Sequence, residues 1–127
     1  MSLIAVSIPV ADPDQVDSGL EAARTASEAG ADLIEWRVDE LADVETVSAM
    51  ATLVESSPRP CILTIRSEEE GGAFDGDPED VADILDALRE GGVVPRYLDL
   101  EHGFWSDSEE LRAAWARWSD SDTGLVL

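Results

Sequence analysis

Charged side chains alternate with apolar ones along one short segment of the chain, residues 33–39. Glu35, Arg37 and Asp39 stand at every second position, and the residues between them are apolar. In a β-strand this period places the three charges on one face and the apolar side chains on the other. Parallel sheets in proteins that alternate strands and helices are normally covered on both faces. The stripe therefore predicts a paired, polar interior site rather than a solvated surface.

Two further segments supply groups of the same chemistry. Arg66 ends another apolar segment and precedes an acidic, glycine-containing stretch, residues 67–72, while Asp99 and Glu101 repeat the spacing of two. The planar guanidinium group of arginine binds carboxylates through paired hydrogen bonds. If these groups converge, they can bind a polar, partly anionic small molecule. The alternative is that they form structural ion pairs inside the fold.

The elements that would position these residues follow from the hydrophobic periodicity of the chain. Short apolar segments alternate with stretches whose apolar residues recur at helical spacing. The predicted strands are residues 3–8, 32–39, 61–66, 96–101 and 123–127.

The helices between these strands carry recognisable start and stop signals. The first covers residues 15–29 and ends at Gly30. Asp77 is expected to cap the third helix, with Pro78 at its first position. Ser106 and Glu109 fit a capping box for the fourth helix. The predicted buried stripe of the second helix is Val44, Val47, Met50 and Val54.

Strict alternation of strands and helices predicts an α/β protein with a parallel sheet and right-handed crossovers. In such folds the residues that do chemistry gather at the carboxyl ends of the strands, where the charged residues described above fall. No linker or low-complexity stretch interrupts the pattern, so we expect one domain over residues 1–127. A closed (β/α)8 barrel normally needs about 250 residues, about twice the 127 residues of this chain.

The composition argues against several classes of partner. Of 127 residues, 29 are acidic and 8 are basic, all of them arginine, and the formal net charge is −21. Nucleic acids and membrane surfaces attract cationic proteins, so we expect neither as a partner. The periodic apolar residues and the four tryptophans are typical of a folded domain rather than a disordered chain. A carboxylate-coated surface on a folded domain is typical of proteins adapted to high salt.

The cysteine, the histidine and the acidic stretches do not indicate a metal site, and the chain shows no export signal. Cys61 is the only cysteine, which excludes an internal disulfide and argues for a packed core thiol. The acidic residues 68–70 and 75–80 lack the spacing of a calcium-binding loop. For His102, the only histidine, we expect a structural or solvent-exposed role. The chain lacks a signal peptide and any apolar run near the ~20 residues of a membrane span, so we expect a soluble cytoplasmic protein.

Three motifs together resemble type I 3-dehydroquinate dehydratase. They are residues 34–39 (IEWRVD), 64–72 (TIRSEEEGG) and 97–101 (YLDLE), in that order. The resemblance extends over residues 3–127 and implies a (β/α)8 barrel of the TIM type. It also implies the conversion of 3-dehydroquinate to 3-dehydroshikimate in the shikimate pathway of aromatic amino acid biosynthesis. In this family a lysine forms an imine with the substrate ketone, a histidine moves protons in a syn elimination, and no cofactor is used.

The resemblance assigns roles to five residues of this sequence. Glu35, Arg37 and Arg66 would contact the hydroxyl and carboxylate groups of the substrate, and Ser7 would line the pocket. Glu70 would hydrogen-bond to the catalytic histidine and orient it.

The sequence departs from the family pattern because it holds neither the imine-forming lysine nor the catalytic histidine. The resemblance therefore implies the N-terminal half of a barrel: four βα units and the start of a fifth strand, inactive on its own. We expect it to pair with a complementary C-terminal half or with a second copy as a homodimer. Two other functions stay open: a non-catalytic half-barrel that self-associates, and a domain that binds another small anionic metabolite through Arg37 and Arg66.

Overall fold

Five parallel strands form one sheet in the computed structural model, which describes residues 2–118 and 121–127. The strands lie side by side in the order in which they occur in the chain. This arrangement confirms the predicted α/β class and parallel sheet. The strands are β1 (Ala5–Pro9), β2 (Leu33–Arg37), β3 (Cys61–Thr64), β4 (Tyr97–Asp99) and β5 (Gly124–Val126).

Helices connect successive strands, and helices that follow one another along the chain pack side by side. Helix α1 contacts β1 and α2, α2 contacts α3, and α3 contacts α5, so they form one layer. The described residues also include short 3-10 turns at Pro13–Gln15, Val44–Thr46 and Glu68–Glu70. The helices are α1 (Val16–Glu28), α2 (Val47–Ser56), α3 (Pro78–Glu90), α4 (His102–Asp107) and α5 (Glu109–Ala116).

The core lies between the sheet and this helix layer, with Trp36 at its centre. Trp36 is fully buried, and a Cβ atom on Gly19 of α1 would lie 2.9 Å from Val10 Cγ2 and 3.5 Å from the Trp36 ring. Glycine at position 19 therefore lets the helix approach the strands closely. The prediction that the charged and apolar faces of β2 separate is confirmed, because Glu35 and Arg37 alternate with buried residues.

The capping signals of the third helix are confirmed. The Asp77 side chain accepts a hydrogen bond from Asp80 N, and the Asp80 side chain accepts one from Asp77 N, both at 2.9 Å. Pro78 occupies the first helical position, where its missing N–H costs nothing. After the first helix, Gly30 adopts φ +113°, a conformation that a side chain would disfavour.

The predicted capping box at Ser106 and Glu109 is wrong. Ser106 lies inside α4, and the cap of α5 is Ser108, whose Oγ accepts a hydrogen bond from Leu111 N at 3.1 Å. Ser108 has an extended backbone conformation (φ −131°, ψ 114°), which separates two short helices. The earlier helix was missed because His102 and Gly103 carry no helix-start signal.

Two boundaries also differ from the prediction. Val44 is 49% exposed in a 3-10 turn, and Leu53, which the predicted stripe leaves out, is fully buried on α2. The strands are shorter than predicted, so Asp39, Arg66 and Glu101 lie just beyond their ends. Beyond the strand ends, carboxylate side chains rather than neighbouring strands accept hydrogen bonds from the backbone N–H groups of Arg66 and Ser67.

Candidate active site

The polar residues predicted from the sequence meet at the carboxyl ends of the strands. Parallel pairing places Ser7 beside Glu35, Arg37 beside Thr64, and Thr64 beside Asp99. Side chains at these positions lie on the face of the sheet opposite the helix layer, because their strand neighbours are buried beneath the helices. The register of the sheet therefore assembles the site.

Glu35 lies between two hydroxyl groups on the flanking strands. Its Oε1 accepts a hydrogen bond from Ser7 Oγ, and its Oε2 accepts one from Thr64 Oγ1 at 2.9 Å. Thr64 is completely buried, whereas Ser7 is exposed. Sequence reasoning did not select Thr64, whose hydrogen bond to this carboxylate depends on how the two strands lie side by side.

Arg37 is a half-buried cation beside a pocket of about 230 Å³. Its Nη2 donates to Asp39 Oδ2 at 2.8 Å. That hydrogen bond raises the pKa of Arg37, and burial opposes the rise only in part. Within the described part of the chain, its buried Nε–H has no protein acceptor. The pocket beside it is lined by Ser7, Pro9, Val10, Ala11, Arg37, Asp39, Glu40 and Ala73.

Arg66 forms a second ion pair, to the next strand. Its Nη2 lies 3.1 Å from Asp99 Oδ2. Burial raises the pKa of Asp99, and the positive charge of Arg66 offsets that rise only in part. Among the described residues, the buried Nε–H of Arg66 also lacks an acceptor. Both Nε atoms are covered by protein, so a bound ligand would contact the exposed parts of the two arginine side chains.

Glu70 and His102 border a second cavity of about 270 Å³ at the same end of the sheet. Arg66, Asp99 and Glu101 also line this cavity. Glu70 is exposed in the Glu68–Glu70 turn, and His102 is exposed at the start of α4, as expected. The structure therefore places Glu70 and the exposed His102 at the edge of the cavity that Arg66 also lines.

Cys61 lies at the opposite end of its strand from these cavities. It is buried, and burial raises the pKa of its thiol to about 11. The prediction of a packed core thiol is confirmed. Over residues 2–118 and 121–127, no group of three or more histidine, cysteine, aspartate or glutamate side chains is arranged to hold a metal ion. No helix in these ranges is long and apolar enough to cross a membrane.

Comparison with known proteins finds one family throughout. The family model for type I 3-dehydroquinase matches residues 4–126. A 3-dehydroquinate dehydratase of Methanosarcina barkeri is 37% identical over 89 residues, covering 68% of this chain and 37% of the relative. That of Methanosarcina mazei is 33% identical over 118 residues, covering 88% and 47%. A bifunctional 3-dehydroquinate dehydratase/shikimate dehydrogenase of Arabidopsis thaliana is 35% identical over 88 residues, covering 69% of this chain and 14% of the relative.

A solved structure supports the fold. The crystal structure of 3-dehydroquinate dehydratase from Geobacillus kaustophilus superposes with a TM-score of 0.70 at 21% identity, covering 98% of this chain and 48% of that one. The chain spans less than half the length of these relatives.

Proposed function

We propose that this chain, which belongs to the type I 3-dehydroquinase family, forms the substrate-binding half of a 3-dehydroquinate dehydratase. The observation that carries the proposal is the convergence of Glu35, Arg37 and Arg66 from neighbouring strands at one end of the sheet. Their side chains suit a small, polyhydroxylated carboxylate such as 3-dehydroquinate.

Each residue of the site has a distinct proposed role. Arg37 and Arg66 offer the exposed donors of their guanidinium groups to the substrate carboxylate and hydroxyls. Glu35, held by Ser7 and Thr64, accepts a hydrogen bond from a substrate hydroxyl. Glu70, on the exposed turn, orients a histidine supplied from outside this chain. The proposed reaction uses neither a metal nor an organic cofactor.

Chemistry and charge both support the proposal that this chain alone is inactive. An enzyme of this mechanism needs a lysine amine to form an imine, and the sequence contains no lysine. The site also carries an excess of negative charge, because Glu35, Asp39, Asp99 and Glu101 are near only two arginines. This excess weakens the binding of an anionic substrate to the chain alone, and further cations would strengthen it. We therefore propose that a complementary half supplies those cations.

Binding and turnover can be measured separately on this chain. Addition of 3-dehydroquinate should shift the side-chain NMR signals of Arg37 and Arg66 while no enone absorbance of 3-dehydroshikimate develops. The substitution Arg37→Gln should weaken binding by about tenfold or more, because a charge-assisted hydrogen bond is lost. Turnover by the chain alone would refute the proposal that it lacks the covalent step.

A matched control comes from the surface of the same protein. Arg117→Gln also removes an arginine from an ion pair, the 2.7 Å contact with Asp86 on α3. It lies outside both cavities of the site. The affinity of the Arg117→Gln variant for 3-dehydroquinate should equal that of the unaltered chain. Equal weakening by both substitutions would mean that the ligand responds to overall charge and not to this site.

A second candidate function is a self-associating half-barrel, and the edges of the sheet favour it. In the described sheet, β1 and β5 each have a strand partner on one side only. Apolar side chains are exposed at both edges, with Leu3 63%, Ile4 56% and Val126 39% exposed. Unpaired parallel edges of this kind bind other strands. A second copy of this chain could therefore cover them.

The mass of the particle in solution tests this alternative. Light scattering should give a compact dimer, and Ile4→Lys should convert it to a monomer by placing a charge in the edge contact. Val44→Lys is the control, because Val44 is comparably exposed but lies away from both edges. A monomer at all concentrations would exclude self-association and leave a complementary half as the partner.

A further inference from the structure

The loop that carries Arg66 and Glu70, residues 66–74, is closed on itself. Phe74 N donates to Arg66 O at 3.0 Å, and the Phe74 side chain is buried in the core. A Cβ atom on Gly72 would lie only 2.2 Å from Arg66 O, so this closure requires glycine. The loop therefore behaves as a unit whose position depends on what holds its two ends.

The Asp39 carboxylate holds both ends. Its Oδ1 accepts from Arg66 N at 2.8 Å, and its Oδ2 accepts from Ala73 N at 3.3 Å. The same Oδ2 accepts from Arg37 Nη2 at 2.8 Å, which fixes the carboxylate itself. The Asp39 side chain is only 10% exposed, so water is a poor substitute acceptor for these two amides.

A second carboxylate holds the loop from the other side. Glu101, beyond the end of β4, accepts from Ser67 N at 2.6 Å. Ser67 is buried, and its amide precedes the exposed turn that carries Glu70. Asp39 and Glu101 thus reach the loop from two different strands and bind three of its backbone N–H groups.

We propose that Asp39 and Glu101 are positioning residues that clamp this loop and so set the places of Arg66 and Glu70. This inference rests on the proposed function, because it gives the clamp its purpose at the substrate pocket. Both Asp39 oxygens already accept hydrogen bonds from the protein. Asp39 therefore acts through the loop and the neighbouring arginine, without taking part in the chemical step.

Amide hydrogen exchange in the full chain tests the clamp directly. In Asp39→Asn the side chain keeps its shape but has one acceptor oxygen where aspartate has two. Its NH2 group would face the Arg37 N–H donor, and two donors cannot form a hydrogen bond. The Ala73 or Arg66 amide should exchange about tenfold faster or more, because a hydrogen bond to a charged acceptor is lost. Exchange in the centres of β2 and β3 should be unchanged. Uniform acceleration across the chain would reduce Asp39 to a general stabilising residue and overturn the proposal.

Two further variants give a control and an independent arm. Glu40→Gln removes the neighbouring negative charge, which makes no hydrogen bond to the described loop residues, and should leave loop exchange unchanged. Glu101→Ala should accelerate exchange at Ser67, whereas Glu101→Gln keeps an acceptor oxygen and should restore slow exchange. If Asp39→Asn fails to fold, the comparison of Glu101→Ala with Glu101→Gln still tests the clamp. Equal exchange rates at the Ser67 amide in these two variants would overturn the proposal.

Titration of Asp39→Asn and of a surface control with 3-dehydroquinate separates this inference from the proposed function. A loosened loop should reduce the response of the Arg66 side-chain signal by severalfold in Asp39→Asn. Glu55→Gln removes an exposed negative charge on α2, outside both cavities, and should respond as the unaltered chain does. If the unaltered chain shows no response to 3-dehydroquinate, the proposed function fails. The exchange data would then still show whether the two carboxylates hold the loop.

Discussion

At the scale of single residues, the site balances burial of charge against pairing. Asp99 is the clearest case, because its side chain is 15% exposed and its partner Arg66 lies 3.1 Å away. The pKa of Asp99 is nevertheless raised, first because burial removes water from the carboxylate, and also because Glu35 and Glu101 repel its charge. The single ion pair does not compensate for both effects, as is common for buried pairs.

The raised pKa of Asp99 predicts that this residue lowers the free energy of unfolding at neutral pH but not at acid pH. Below the unfolded-state pKa of about 3.9, Asp99 is protonated in both states and contributes no cost. As the pH rises through its folded-state pKa, the folded state must carry the unfavourable charge and stability is lost. Relative to the unaltered chain, Asp99→Asn should therefore gain stability between acid and neutral pH, measured by urea unfolding at both.

The surface pair of Asp86 and Arg117 provides the comparison. Asp86→Asn also removes a paired carboxylate, but its side chain is 34% exposed and hydrated. Its change in unfolding free energy should show no such gain towards neutral pH. A gain at neutral pH for Asp86→Asn equal to that for Asp99→Asn would trace the effect to overall charge instead of burial.

At the scale of elements, short side-chain signals fix where helices begin. The reciprocal hydrogen bonds of Asp77 and Asp80 satisfy two backbone donors at the start of α3. Asp77→Ala should lower the free energy of unfolding by about 1 kcal/mol, because the cap is lost. Thermal unfolding checks this, with Asp75→Ala in the preceding loop as an exposed control. Equal losses in the two variants would contradict the capping explanation.

Spacing in the sequence predicted the strands and most helices but not the start of the fourth. The period of two in residues 33–39 predicted the charged face of β2 because a strand has no other way to separate those side chains. Ser106 and Ser108 both have an acceptor hydroxyl and a glutamate nearby, and only tertiary packing selects Ser108. Local propensity cannot distinguish two such neighbours.

The candidate site was predictable as a set of residues but not as a network. The resemblance selected Ser7, Glu35, Arg37, Arg66 and Glu70, and the side-chain hydrogen bonds of the structure then show which atoms pair. The contacts of Asp39 with backbone amides across the loop join positions 27 and 34 residues apart. No local pattern encodes such contacts, because they depend on where the strands end relative to one another.

At the scale of the whole molecule, the formal net charge of −21 on 127 residues dominates. Exposed carboxylates repel one another more in the compact state than in the unfolded chain, so the charge destabilises the fold at low salt. Salt shortens the reach of this repulsion, from about 30 Å at 0.01 M to about 3 Å at 1 M. The same repulsion opposes the approach of a second copy to the open sheet edges.

The charge predicts that the protein is stabilised by salt. The melting temperature should rise by about 5 °C or more between low and molar potassium chloride, since one kcal/mol corresponds to about 4 °C in a domain of this size. A variant with four exposed helix glutamates changed to glutamine should be more stable at low salt and respond less to added salt. A melting temperature independent of salt in the unaltered chain would contradict the prediction, and equal salt responses in both would assign the effect to something other than surface charge. The four positions are Glu21, Glu28, Glu55 and Glu90.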